Sequence, residues 1–221
     1  MIDCLLLNHL LEKLKSRQLQ DKFAYVVFAE SLTGGLLSSE LTKIPGASQV
    51  FWGGYVVYNP VAKQKLLGVP SSIIEKGMVS EECALSMAKG ALRVSFDISN
   101  IYPRYSLAVT GIAGPPSQFD ERPVGTVYIA VAKILNVAKT FDVSSATISD
   151  VASAEALTTG SYTSCYHTPF SYSCPHSVLT ARKEGELCFY TDVKLFHFAG
   201  DRNSVREQTL NSGIQMLIDI V

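Results

Sequence analysis

An excess of charge of either sign is missing from this 221-residue chain, where 19 lysines and arginines stand against 20 aspartates and glutamates. Without a basic run, the electrostatic footprint of a nucleic-acid binder is missing too, while a small acidic or zwitterionic ligand stays open. No apolar stretch approaches the roughly 20 residues that span a bilayer. The N-terminus MIDCLLLNHLLEKLKSRQL has neither a basic leader nor a small-residue cleavage site, so a soluble, cytoplasmic protein is expected, with no membrane partner. The five cysteines (Cys4, Cys83, Cys165, Cys174 and Cys188) are odd in number and scattered. That does not fit a secreted disulfide framework, and reduced thiols are expected.

What is present is an alternation of helical and strand patterns. Ile2, Leu5, Leu6, Leu10, Leu11 and Leu14 recur at helical spacing, with Glu12, Lys13, Lys15 and Arg17 on the other face, which predicts an amphipathic helix. FAYVVFA (23–29) is a continuous apolar run suited to a strand covered on both faces, and a helix follows from Leu36 to Leu41. FWGGYVVY (51–58) reads as a strand, and Pro60 suits the first turn of a helix running through Lys65. Ser72 and Glu75 have capping-box spacing, and Ser80 to Val94 is strongly helical. YSLAVT (105–110), VGTVYIAVA (124–132) and LCFYTDVKLFHF (187–198) are further strands, and Asp201 is placed to cap a last helix to about Ile218. The alternation predicts one α/β domain over residues 1–221, a sheet with helices on both faces. Residues 134–186 turn rich in serine, threonine and tyrosine and lose sustained periodicity, and they are read as an insertion before the last strand.

Ligands of open α/β sheets gather beyond the carboxyl ends of strands, and three strand exits carry suggestive chemistry. In Glu30-Ser31-Leu32-Thr33-Gly34-Gly35, glycines permit close backbone approach and the next helix would offer unpaired N–H groups to an anion or oxyanion. A capping hydroxyl followed by packing glycines has the same appearance. In YNPVAK, Lys63 lies near the positive end of a helix dipole. It is either solvated there or buried near Ser31, where desolvation would lower its pKa and let the neutral amine accept the serine proton. TGIAGPP (110–116), closed by Arg122-Pro123-Val124-Gly125-Thr126, either brings backbone donors to an oxyanion or phosphate or makes a wide turn between strands. The four histidines (His9, His167, His176 and His197) fall outside these loops, so no Ser-His-Asp arrangement competes. The absence of a Walker ending and of a dinucleotide fingerprint disfavours an ATPase or dehydrogenase.

Taken together and in order, AESLTGG, Tyr58 and Lys63 in YNPVAK, GVPSSIIEKGMVSEE, TGIAGP, RPVGTVYIA and FAGDRNSVREQ resemble the CinA C-terminal domain family, which includes stand-alone nicotinamide-nucleotide amidases. The resemblance covers most of residues 1–133 and 187–221. It implies a three-layer α/β/α domain with a mixed sheet, commonly a homodimer, that hydrolyses nicotinamide mononucleotide to nicotinate mononucleotide and ammonia. Some members carry an additional N-terminal nucleotide-hydrolysing domain, which is not expected within these 221 residues.

By position, the resemblance assigns Ser31 as nucleophile, Lys63 as general base and Tyr58 as an aid to proton movement. It implies substrate contacts from Glu30, Thr33, Gly34 and Gly35, and from Thr110, Gly111, Ala113 and Gly114. Arg202 and Arg206 either face a substrate phosphate or form surface pairs, and a helix cap is sufficient reason for Asp201. No metal or organic cofactor is required. Two departures stand out: the family's usual asparagine is replaced by Pro60, after Asn59, and its short hairpin by the long insertion. Both leave open an alternative, a member that binds a nucleotide or a partner with weakened catalysis. Cys165, His167, Cys174 and His176 within the insertion are competent zinc ligands by type, but Cys-x-His is not a usual structural-zinc spacing, and no metal is expected.

Overall fold

The computed structural model describes residues 1–21, 24–96, 102–116, 121–137 and 187–221. Five strands, β1 (Val26–Glu30), β2 (Phe51–Val56), β3 (Tyr105–Gly111), β4 (Thr126–Val137) and β5 (Leu187–His197), form one sheet in the order β2-β1-β3-β4-β5. β1 runs parallel to β2 and β3, whereas β4 is antiparallel to both β3 and β5, so the sheet is mixed. Among the described residues six α-helices accompany it: α1 (Cys4–Gln18), α2 (Leu36–Thr42), α3 (Pro60–Leu67), α4 (Ser71–Lys76), α5 (Glu81–Val94) and α6 (Arg202–Ile220).

The period-2 alternation of the central strands divides the core into two layers. Val26, Phe28, Leu107, Val109, Val127 and Ile129 pack with the leucines of α1 and α2 and with Leu210, Ile214 and Leu217 of α6. On the opposite face Val27, Ala29, Ala108, Ala130 and Ala132 meet Leu67 of α3 and Met87, Ala88, Ala91 and Leu92 of α5. Small residues dominate that second interface, so backbones come close. A Cβ at Gly90 would lie 2.1 Å from the carbonyl oxygen of Leu67, a contact that only glycine tolerates.

Caps set the helix starts. The side chains of Asp3, Ser80 and Asp201 accept backbone N–H groups at the starts of α1, α5 and α6. The expected Ser72–Glu75 capping box does not form: Pro70, at φ -57°, is the residue before the helix, and Ser72 lies inside the first turn. At its other end α6 is held by basic side chains. Lys13 Nζ donates to the Ile218 carbonyl at 2.6 Å, Arg17 Nε to that of Val221 at 2.5 Å, and Lys133 Nζ to that of Ile220 at 3.3 Å. Cations are favoured there by the helix dipole.

The proposed insertion starts later than its composition suggests. Ile134 is fully buried, and β4 continues to Val137 by pairing across an irregularity with Phe189, Cys188 and Leu187 of β5. The rest of the segment, with Cys165, His167, Cys174 and His176, lies outside the described residues. Among the described residues, no helix is long and apolar enough to cross a membrane.

Replacing Gly90 by alanine should force α5 away from the end of α3. A loss of about 1–3 kcal/mol is expected for such overpacking, measured as a lower midpoint in urea unfolding. An unchanged midpoint would contradict the close approach.

Candidate active site

The topology gathers the chemistry at one edge of the sheet. The three parallel strands β2, β1 and β3 end together, β4 begins beside them, and β5 ends there and hands the chain to α6. Ser31 follows β1, Tyr58 and Lys63 follow β2, Thr110 to Gly114 close β3, and Arg202 opens α6. These segments, with α4 and the loop before β4, surround a cleft of about 950 Å³.

At its floor Lys63 is only 1% exposed and Ser31 8%. Lys63 Nζ lies 2.9 Å from Ser31 Oγ, 2.7 Å from the Val57 carbonyl oxygen and 3.3 Å from that of Tyr58. A neutral amine has two hydrogens and one lone pair, which fits two carbonyl acceptors and one hydroxyl donor. Burial holds the Lys63 pKa below its ordinary value, with the neighbouring Cys83 pulling more weakly in the opposite direction. Burial also pushes the Cys83 thiol up to about 11, so at neutral pH Cys83 is uncharged and its pull is not exerted. The geometry therefore pairs an alcohol with an uncharged base.

Local sequence explains how Lys63 reaches this point. The Asn59 side chain accepts the Val61 N–H at 2.8 Å, and Pro60 occupies the first position of α3. The departure at Pro60 thus starts the helix whose second turn delivers the amine. Tyr58 is 58% exposed, and its phenol oxygen accepts from Arg202 Nη2 at 3.1 Å. Arg202 also donates through Nη1 to the Gly114 carbonyl, so α6 bridges two walls of the cleft.

The loop after Ser31 differs from the sequence expectation. The amides at the start of α2 are not open to an anion, because the preceding glutamate takes them. The Glu30 carboxylate, 0% exposed, accepts the amides of Gly35 at 2.9 Å, Leu37 at 3.1 Å and Ser38 at 2.9 Å, and the Ser38 hydroxyl at 2.7 Å. The physical reason is ordinary: a buried carboxylate requires donors, and an uncapped helix start supplies them. Gly34 at φ 59° and Gly35 at φ 94° provide the left-handed turn that brings the helix start back over Glu30, and Gly34 N–H donates to the Ser31 carbonyl at 3.1 Å. Arg206 Nη2 donates to the Thr33 carbonyl at 2.7 Å, tying α6 to the same loop.

Of the residues singled out from the sequence, Ser31, Tyr58, Lys63, Thr110, Gly111, Ala113, Gly114 and Arg202 line the cleft, whereas Glu30, Thr33, Gly34, Gly35 and Arg206 do not. Thr110 lines it while its hydroxyl donates to the Met78 carbonyl at 2.8 Å. Among the described residues, the amides of Leu32, Ala113 and Gly114 have no hydrogen-bond acceptor, and these three residues line the cleft. Sequence reading named Arg122 only as the close of the third loop and missed the charged wall it makes with Glu75, Lys76 and Glu121. The blocks GVPSSIIEKGMVSEE and RPVGTVYIA contain most of it, and the signal was charge within otherwise apolar blocks. Among the described residues, no group of three or more His, Cys, Asp or Glu side chains is arranged to hold a metal ion.

The model of the CinA C-terminal domain matches residues 8–159. A putative competence-damage inducible protein of Caldicellulosiruptor bescii is 47% identical over 131 residues, 59% of this chain and 30% of that protein. A CinA-like protein of Fervidobacterium nodosum is 50% identical over 107 residues, 48% of this chain and 25% of the relative. The chain thus spans less than a third of the length of these curated relatives. Among solved structures, the competence/damage inducible protein CihA of Agrobacterium tumefaciens superposes with a TM-score of 0.65 at 24% identity, over 100% of this chain and 98% of that one. The CinA superfamily protein of Escherichia coli gives 0.63 at 22% identity, over 100% and 94%. The likeness to these structures is one of fold. With the family model spanning more than half of its residues, the chain belongs to the CinA C-terminal domain family.

Proposed function

We propose that this protein is an amidohydrolase that converts nicotinamide mononucleotide to nicotinate mononucleotide and ammonia through a Ser31 acyl-enzyme. The observation that carries the reading is the 2.9 Å approach of a buried lysine amine to a serine hydroxyl at the floor of an open cleft. Neutral Lys63 takes the hydroxyl proton as Ser31 Oγ bonds to the carboxamide carbon. The developing oxyanion is met by cleft amides with no acceptor among the described residues, those of Leu32, Ala113 and Gly114. The carbon–nitrogen bond then breaks, and the proton held by Lys63 leaves with ammonia, with the Tyr58 phenol assisting at the cleft wall. Water, deprotonated by the same amine, hydrolyses the ester and restores Ser31. This route asks for no metal or organic cofactor.

The nucleotide reading rests on the resemblance and on the charge of the walls. Lys76, Arg122 and Arg202 line the cleft and offer cations for a phosphate. Arg206, bound to the Thr33 carbonyl and outside the cleft, is better suited to hold the loop.

Ser31→Ala and Lys63→Ala are each expected to reduce ammonia release from nicotinamide mononucleotide by about 1,000-fold or more, since nucleophile and base act as a unit. Near-normal turnover by folded Ser31→Ala would overturn the mechanism. If the unaltered protein is thermally stabilised by the mononucleotide yet releases no ammonia, the protein is a binder instead.

The pH profile tests the state of the base. A protonated amine cannot accept the serine proton, so kcat/KM should fall as pH drops through the Lys63 pKa and level off above it. The midpoint should lie below the ordinary lysine value of 10.5. Lys63→Arg, which stays protonated, should be inactive across the range. A midpoint at or above the ordinary value would contradict a desolvated base.

Comparison of the mononucleotide, its riboside and free nicotinamide probes the cations among the lining residues, Lys76, Arg122 and Arg202. Loss of the phosphate should lower kcat/KM by about 10-fold or more, as expected for losing a charge-assisted contact. Equal use of all three would remove the nucleotide assignment while leaving the amidase chemistry.

A further inference from the structure

The Glu30 side chain encloses the nucleophile loop without entering the cleft. Its backbone lies at the end of β1, where its carbonyl accepts the Val57 N–H at 2.8 Å. Its carboxylate reaches forward to Gly35, Leu37 and Ser38 at the start of α2. One residue is therefore fixed to the sheet at one end and to the helix at the other, and Ser31 through Gly34 form the arc between. The next backbone group, the Ser31 N–H, donates to the Val109 carbonyl of β3 at 3.2 Å, so Ser31 Oγ leaves from a backbone held on both sides.

We propose that Glu30 is a positioning residue for the nucleophile: by accepting the N-terminal amides of α2, its carboxylate fixes the loop that aims Ser31 Oγ at Lys63. The inference rests on the Ser31–Lys63 reading but not on the identity of the substrate. A carboxylate is suited to this place because each of its two oxygens faces two donors: Oε2 faces the amides of Gly35 and Leu37, and Oε1 the amide and hydroxyl of Ser38. Glutamine has nearly the same shape but must turn an NH2 group toward one of these donor pairs; even on the Ser38 side, where the hydroxyl can turn round and accept, the Ser38 amide is left facing a donor. The loop would then shift. Displacements of about 1 Å at a reacting atom cost about 100-fold in rate.

The test is Glu30→Gln, assayed below its melting temperature with the folded fraction measured by circular dichroism. On nicotinamide mononucleotide, kcat per folded molecule should fall by about 100-fold with KM within about twofold, because the side chain does not line the cleft. A purely structural role would lower the melting temperature and leave kcat per folded molecule unchanged. A second readout uses a fluorophosphonate probe, in which Ser31 Oγ bonds to phosphorus, fluoride departs and Lys63 takes the proton; labelling is followed by mass. Glu30→Gln should be labelled about 100-fold more slowly than the unaltered protein.

If the unaltered protein is labelled at Ser31 but does not hydrolyse the mononucleotide, the substrate assignment falls and the labelling rates still decide the role of Glu30. If hydrolysis and labelling by Glu30→Gln stay within threefold of the unaltered protein, the positioning role is overturned and the amidase reading stands. Labelling of neither protein overturns both. Should Glu30→Gln fail to fold, Ser38→Ala removes one of the four bonds and is expected to lower kcat by about threefold to tenfold with KM unchanged. An unchanged kcat in that variant would equally overturn the proposal.

Discussion

A primary amine is among the hardest side chains to shut away from water, and the arrangement of this site follows from having done so. Lys63 is almost fully buried, and the low-polarity surroundings favour its uncharged form. Even uncharged, the nitrogen keeps its hydrogen-bonding capacity, which the carbonyls of Val57 and Tyr58 and the hydroxyl of Ser31 satisfy. The carbonyls come from the end of β2 and the hydroxyl from the end of β1, so the amine can be accommodated only while these two strands stay in register. Their parallel pairing, Glu30 opposite Val56, is therefore part of the site as much as of the fold.

The same edge of the sheet carries contrasting electrostatic tasks at short range. At the nucleophile, charge is excluded: Cys83 is held as a thiol and Lys63 is driven toward the free amine. One residue before Ser31, the buried Glu30 side chain is answered by donors at the start of α2. Farther out, Arg122 and Arg202 reach backbone carbonyls of the surrounding loops. The polarity of the cleft thus rises outward from the buried Ser31 and Lys63 to walls that carry both acids and cations.

Much of this architecture is legible in the residues themselves. The apolar run before Glu30, the helical period from Ser80 to Val94 and the cap at Asp201 correspond to β1, α5 and α6 because local pattern and tertiary burial agree there. The strand ends of β4 were not legible, since Ile134 and its neighbours are recruited by pairing with β5, a partner far away in sequence. Ser72 misled for a related reason: capping-box spacing is local, but Pro70 had already begun the helix. In the site, Ser31, Tyr58 and Lys63 are picked out by the ordered resemblance, since each strand exit taken alone also fits an ordinary turn or cap. The task of Glu30 could not, because an acidic residue beside a glycine loop looks the same whether it meets a ligand or its own backbone.

Helix α6 gives the molecule a mechanical property that no single contact has. It begins with Arg202 at the cleft and Arg206 at the nucleophile loop and, after 19 residues, or roughly 28 Å at 1.5 Å per residue, ends among Lys13, Arg17 and Lys133. A rod fastened at both tips passes on translation along its axis with little loss. Loosening the basic anchor at the distant tip would let the two arginines drift together relative to the nucleophile loop and the Gly114 turn, so an alteration remote from the chemistry would be felt there as a change in alignment.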